Sequence, residues 1–199
     1  MKKKLLFIVI SCIVACFCAL CVNAAGSTSN DYGNVTVIEG VQLPENIDTE
    51  ARVVIKAADG TYFTFPTYYI LADSESFTWK KNDKVNEILG VNASAMDMRR
   101  YVVRMEIPEG ITSINPNNSG GANAFEDAKE IVEVTWPLTL TRIGHYAFNR
   151  CSSLTTINNF KEVFANLTQL GENMLNGTAW GIDHLVIPEG VTTIPAGAF

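Results

Sequence analysis

Ile107-Pro108-Glu109-Gly110-Ile111-Thr112-Ser113-Ile114 and Ile187-Pro188-Glu189-Gly190-Val191-Thr192-Thr193-Ile194 are identical at six of eight positions and similar at the other two. Chance does not account for such a match inside one chain, so an internal repeat organises the sequence. A degenerate third copy runs Trp136-Pro137-Leu138-Thr139-Leu140-Thr141-Arg142-Ile143, its proline again six residues before the isoleucine. A weaker fourth copy ends at Leu170. The anchors Ile114, Ile143, Leu170 and Ile194 lie 29, 27 and 24 residues apart, a period in the range of stacked solenoid coils.

A second anchor keeps the same register. Gly144-His145-Tyr146-Ala147-Phe148 recurs as Gly171-Glu172-Asn173-Met174-Leu175 and as Pro195-Ala196-Gly197-Ala198-Phe199, with a large apolar residue five positions after the first anchor each time. In the first copy Asn115-Pro116-Asn117-Asn118-Ser119-Gly120-Gly121 delays Ala124-Phe125 to eleven residues after Ile114. Its Pro, Asn and Gly content is that of a solvent loop.

Each copy has a physical reading. Leu185-Val186-Ile187 is a short β-prone run that must stop at Pro188, which has no amide to donate to a ladder. Glu189-Gly190 turns the chain, Val191 to Ile194 alternates as a half-buried strand, and Ala198-Phe199 returns bulk to the interior. After Phe148, the turn Asn149-Arg150-Cys151-Ser152-Ser153-Leu154 adds Cys151 and Leu154 to that interior. A single coil cannot enclose a core, so coils must stack to bury one apolar column. The expected repeat core is Ile107, Ile114, Phe125, Ile143, Phe148, Cys151, Leu154, Leu170, Leu175, Leu185, Ile187, Ile194 and Phe199.

The pattern Ile-Pro-x-x-Val-Thr-x-Ile-x-x-x-Ala-Phe-x-x-Cys-x-x-Leu resembles the BspA-type leucine-rich repeats of bacterial surface proteins and some protists. The resemblance covers about residues 102–199 and is strong at Ile107 to Ile114, Ile143 to Leu154 and Leu185 to Phe199. Between Asn158 and Trp180 the coil lacks both the Ile-Pro pair and the Cys-x-x-Leu element. The resemblance implies surface display and adhesion to host or matrix proteins, sometimes as part of a larger multidomain chain.

The fold expected is therefore a leucine-rich-repeat solenoid, β-rich with short strands and turns and little helix, preceded by a small β or α+β N-terminal cap domain. Its repeats occupy 101–199, about four in number with the last incomplete, and the leading domain occupies 34–100. Ala51 to Lys56, Ala57-Ala58-Asp59-Gly60 and Thr61 to Phe65 read as a hairpin with an Asp-Gly turn. Asn82 to Leu89 reads as a capped helix with Val85, Ile88 and Leu89 on one face and Gly90 as its stop. Phe199 falls where an earlier copy continues into Asn149 to Leu154, which reads as a truncated repeat. Were the chain complete there, the last coil would expose an apolar end that dimerises or aggregates.

Lys2, Lys3 and Lys4 precede an apolar run from Leu5 to Val22, and Val22-Asn23-Ala24 has the spacing of a cleavage site, so 1–24 reads as a secretory signal peptide. A retained membrane anchor competes with it, because about 18 apolar residues approach the length of a bilayer span. Val9-Ile10-Ser11 before Cys12 and Ile13-Val14-Ala15 before Cys16 also resemble a lipoprotein processing box. The polar stretch 25–33 reads as a flexible linker. Loss of the leader removes three lysines and takes the formal net charge from −6 to −9, which argues against nucleic acid and anionic membrane as partners. Four of the five cysteines lie in the leader, leaving Cys151 alone and no intrachain disulfide in the remaining residues, about 175 of them.

No cofactor motif, calcium loop or metal-ligand spacing is found, and the expectation is a protein that is not an enzyme. His145 and His184 lie 39 residues apart, in no His-Glu-x-x-His arrangement. Cys151 with His145 invites a nucleophile reading, but the repeat explains Cys151 as a small buried hydrophobe. Tyr62, Phe63, Phe65, Tyr68, Tyr69 and Trp79 read as core packing, or as a stacking platform for sugars. Sequons stand at Asn34, Asn92, Asn166 and Asn176. The function expected is secreted or cell-surface protein binding, with Thr112, Thr192, Glu109 and Glu189 on an exposed face meeting an extracellular protein of the host, the matrix or another surface. Two alternatives are a targeting module of a larger exported hydrolase and a structural spacer.

Overall fold

The computed structural model of the protein describes residues 33–41, 47–115, 124–181 and 184–199. The expected leader 1–24, linker residues 25–32 and loop residues 116–121 lie outside the described residues.

Strand β1 (Arg52–Lys56) and β2 (Tyr62–Pro66) form the hairpin that Asp59-Gly60 predicts, paired antiparallel from Arg52↔Pro66 to Lys56↔Tyr62. Gly60 takes φ 88°, open to glycine at no steric cost, and the Asp59 carboxylate accepts the Thr61 amide at 2.9 Å. Helix α1 (Asp83–Leu89) also follows its end signals. Asn82 Oδ1 accepts from the amides of Lys84 and Val85, and Gly90 closes the helix at φ 64°. Its buried face is Val85, Asn86 and Leu89. Ile88, expected on that face, is 36% exposed, because the face turned to the core is centred one residue away from it.

Strands β3 (Ser76–Phe77), β4 (Val102–Glu106), β5 (Ser113–Ile114), β6 (Glu133–Thr135), β7 (Arg142–Ile143) and β8 (Thr156–Asn158) complete two sheets. The first has the order β2-β1-β4-β6-β8 and the second β3-β5-β7. Pairing from β4 to β6 to β8 and from β3 to β5 to β7 is parallel, one coil per strand, whereas β1 pairs antiparallel with β4. An isolated bridge from Arg142 to Gln169 extends the second ladder by one coil.

Rows of equivalent side chains run through both ladders. Val53, Met105, Val134 and Ile157 form the inward row of the larger sheet, all buried. Phe77, Ile114 and Ile143 form that of the smaller one. A third column is bound at the turns: Phe125 donates its amide to Ala147, Phe148 to Met174 and Leu175 to Ala198. Phe77 shows that the stack begins one coil before the repeat visible in the sequence. Its ring lies 4.6 Å from that of Phe125, and the Trp79 indole donates to the Ala124 carbonyl.

In the irregular middle coil, helix α2 (Phe160–Phe164) stands in place of the Ile-Pro turn. It packs Phe160 against Trp136 and Trp180, at 5.4 and 4.4 Å between ring centroids. The last copy departs from expectation. Leu185 to Ile187 and Val191 to Ile194 form no strand, and Leu185 and Ile187 are only half-buried. Ile194 and Phe199, expected inside, are 54% and 45% exposed. The contacts of this copy run back to the coil before it: the Asn173 and Leu175 amides donate to Ala196 and Ala198, and the Phe199 ring lies 5.9 Å from that of Phe164.

Candidate functional site: the outer face of the larger sheet

Alternation along a strand sends successive side chains to opposite faces. With Met105, Val134 and Ile157 directed inward, the residues on either side must point out. The ladder register makes two outward rows: Arg104, Glu133 and Thr156, and beside it Glu106, Thr135 and Asn158. In the register of Ile107 with Ile187, His184 and Val186 hold the same two positions in the last copy, and both are exposed.

Hydrogen bonds fix these rows. Glu133 stands between two partners, with Arg104 Nε 3.6 Å from its Oε2 and Asn158 Nδ2 donating to its Oε1 at 2.7 Å. Asn158 also donates to Thr135 Oγ1 at 3.1 Å. Glu106 Oε2 accepts the Arg52 amide at 2.9 Å, and burial pushes its carboxyl above the usual carboxylate range. At the margin Lys56 Nζ pairs with Glu130 at 3.0 Å. Thr156 carries no charge and is exposed at the edge strand. The face is therefore polar, internally neutralised near β4, and rigid where its side chains bond across coils.

Just before the strands of the smaller sheet, a threonine ladder ties the coils together. The hydroxyls of Thr112, Thr141 and Thr168 donate to the carbonyls of Glu75, Thr112 and Thr141, each at 3.2 Å. Thr112, expected to meet a partner, thus spends its hydroxyl on the coil before it. Glu109 is engaged as well. Its carboxylate accepts the amides of Leu138 and Thr139 at 2.8 and 3.3 Å, capping the turn of the next coil. Thr192 and Glu189 are exposed.

Two left-handed columns flank the phenylalanine column. Tyr146, Asn173 and Gly197 lie two residues before it and Asp127, Arg150 and Gly177 two after, all with φ between 52° and 70°. Arg150 pairs with Asp127 at 2.6 Å and Glu126 at 3.1 Å across one coil. The guanidinium holds Asp127 below the usual carboxylate range.

The nucleophile reading of Cys151 loses its chemistry here. The side chain is fully buried, its thiol donates to the Phe125 carbonyl at 3.0 Å, and burial pushes its pKa up to about 12. His145 is on the turn surface, its Nδ1 3.9 Å from Glu172 of the next coil. His184 is exposed in the last copy. Of the aromatic set, Phe65, Tyr69 and Trp79 are buried in the core, Phe63 and Tyr68 are half-buried and Tyr62 is exposed. Among the described residues no three His, Cys, Asp or Glu side chains converge as a metal site, and no helix is long and apolar enough to cross a membrane. The expected core residues Ile107, Ile114, Phe125, Ile143, Phe148, Cys151, Leu154, Leu170 and Leu175 are buried.

The outward rows were not singled out from the sequence. Their signal was present as the positions three and one before each Ile107-like anchor: Arg104 and Glu106 before Ile107, Glu133 and Thr135 before Trp136.

No curated protein and no solved structure matches the chain. The family model for a BspA type leucine rich repeat region of six copies matches residues 98–199. That match spans half the sequence and takes in every coil from β4 onward, so the chain belongs to the BspA-type leucine-rich-repeat family.

Proposed function

We propose that this chain is a non-catalytic, secreted or surface-displayed module that binds an extracellular protein of a host, a matrix or another surface. Contact would be made through the outer face of the larger sheet. The observation that carries this reading is the pair of outward rows, Arg104–Glu133–Thr156 and Glu106–Thr135–Asn158, locked across coils by Glu133 and Asn158. Stacked repeats offer extended faces of this kind, and side chains already held in place lose less freedom on binding. The buried, neutral Cys151 thiol supports a role without covalent chemistry. The leader reading of residues 1–24 supports export. The antiparallel hairpin β1–β2 serves as an N-terminal cap in this reading, because β1 takes the side of β4 opposite the parallel strand β6.

The test is surface plasmon resonance of the immobilised chain against purified matrix and cell-surface proteins, with Thr156→Arg on the face and Lys161→Glu on α2 as control. A ligand whose affinity drops about tenfold or more with Thr156→Arg, a loss of about 1.4 kcal/mol, and is unchanged by Lys161→Glu supports the face. Equal binding by all three proteins contradicts it.

A further inference from the structure

Asparagine is among the chemically labile side chains. It is most so before glycine, whose missing Cβ leaves its amide nitrogen open to the preceding Cγ. Asn176-Gly177 is the one Asn-Gly pair in the sequence. It lies in a turn, with both residues exposed and Gly177 at φ 70°. The residues in the same column show how the turn otherwise occupies this nitrogen. The Asp127 amide donates to the Asn149 carbonyl at 2.9 Å and the Arg150 amide to the Asn176 carbonyl at 2.7 Å, whereas the Gly177 amide donates to no group among the described residues. The side chain of Asn176 is held loosely as well. Its Nδ2 donates to Asn149 Oδ1 at 3.4 Å, longer than an ordinary N–H···O bond.

We propose that Asn176 is a site of spontaneous covalent modification, converted through a cyclic imide to aspartate and isoaspartate with water as the only co-reactant. Hydroxide removes the Gly177 amide proton, and the nitrogen attacks Asn176 Cγ. The new N–C bond forms as the Cγ–Nδ2 bond breaks, and Nδ2 leaves as ammonia with a proton taken from water. Water then opens the imide at either carbonyl, giving aspartate from one opening and isoaspartate from the other. The products meet a turn built for an amide. Asn149 Nδ2 donates to Glu126 Oε1 at 3.0 Å, while Asn149 Oδ1 accepts from Asn176. Because Glu126 fixes that orientation, a carboxylate at 176 faces an oxygen that has no hydrogen to offer it. Isoaspartate goes further. It routes the main chain through the β-carbon and moves the 176 carbonyl off the Arg150 amide, so the modification loosens the contact between these two coils.

The test is incubation of the folded chain in buffers of rising pH, followed by peptide mass spectrometry and enzymatic methylation of isoaspartate. The peptide containing Asn176 should gain the mass of an amide-to-acid exchange and become a methyl acceptor. Its rate of conversion should rise about tenfold per pH unit, as the deprotonated fraction of the attacking amide does. Asn149 and Asn173, in neighbouring turns but followed by residues with side chains, should stay intact over the same period. Asn176→Gln, whose longer side chain closes a less favourable ring, should lose the methylated product. In the converted chain the Arg150 amide should exchange its hydrogen faster than in the fresh one. A folded chain whose Asn176 stays intact overturns the proposal, whether or not the same chain converts in urea. Conversion of Asn149 or Asn173 at the rate of Asn176 overturns it too, as does conversion that leaves exchange at Arg150 unchanged.

Discussion

The rings of Phe125 and Phe148, 23 residues apart in sequence, stack with centroids 4.7 Å apart and planes 8° from parallel. That separation is the distance between neighbouring strands in a ladder, so the two rings report the coil repeat directly. Both are fully buried. Phe148→Ala should lower unfolding free energy by about 3–5 kcal/mol. Phe148→Leu, which copies Leu175 in the next coil, should cost less than about 1.5 kcal/mol. Urea unfolding followed by tryptophan fluorescence measures both.

Cys151 gives a chemical readout of the same interior. With its pKa pushed up to about 12, the native thiol should not react with a disulfide reagent at pH 8, and should react at once in denaturant. The sign for stability follows from the raised value. The contribution is full below the ordinary pKa of 9.0 and is lost as pH rises toward about 12. Cys151→Ala should remove that alkaline dependence.

Two carboxylates should titrate in opposite directions from their ordinary range. Burial raises Glu106, so its protonated form is favoured and its stabilising contribution is lost as pH rises through its folded value. Asp127, hydrogen-bonded to Arg150, is lowered, so its contribution is present at neutral pH and lost as pH falls through its folded value. Side-chain carboxyl shifts followed by NMR should place the Glu106 midpoint above the Asp127 midpoint. The reverse order would contradict the burial assigned to Glu106.

Gly171 tests the stacking of the turns. A Cβ there would collide with the backbone carbonyl of Gly144 in the preceding coil, which cannot move aside as a side chain does. Gly171→Ala should cost about 1–3 kcal/mol, visible as a lower Tm. Tyr146, with φ 58° in a column whose other members are Asn173 and Gly197, should accept Tyr146→Asn without loss of stability.

The repeat was legible because its anchors repeat in chemistry as well as position. Ile114, Ile143 and Leu170 each fill the same interior slot, and proline marks the turn before two of them. The hairpin and α1 were legible for local reasons, the glycine at Gly60 and the cap pair Asn82 and Gly90. Phe77 was hidden because β3 has only two residues, no Ile-Pro turn precedes it, and its ladder partner is 37 positions away at Ile114. The outward rows were hidden for the opposite reason. Arg104, Glu133 and Thr156 share a place but no chemistry, since solvent sets no common demand on them. Glu109 misled in its own way: an exposed acid in a turn looks free, yet it caps the turn stacked on it.

The most direct test of the proposed binding face is hydrogen-exchange footprinting of the chain alone and with a protein found to bind it by surface plasmon resonance. Binding on the outer face of the larger sheet predicts slowed exchange at 102–106, 133–135 and 156–158, with the threonine ladder at 112, 141 and 168 unchanged. Slowing confined to that threonine ladder, or to the turns around Tyr146 and Arg150, would contradict it.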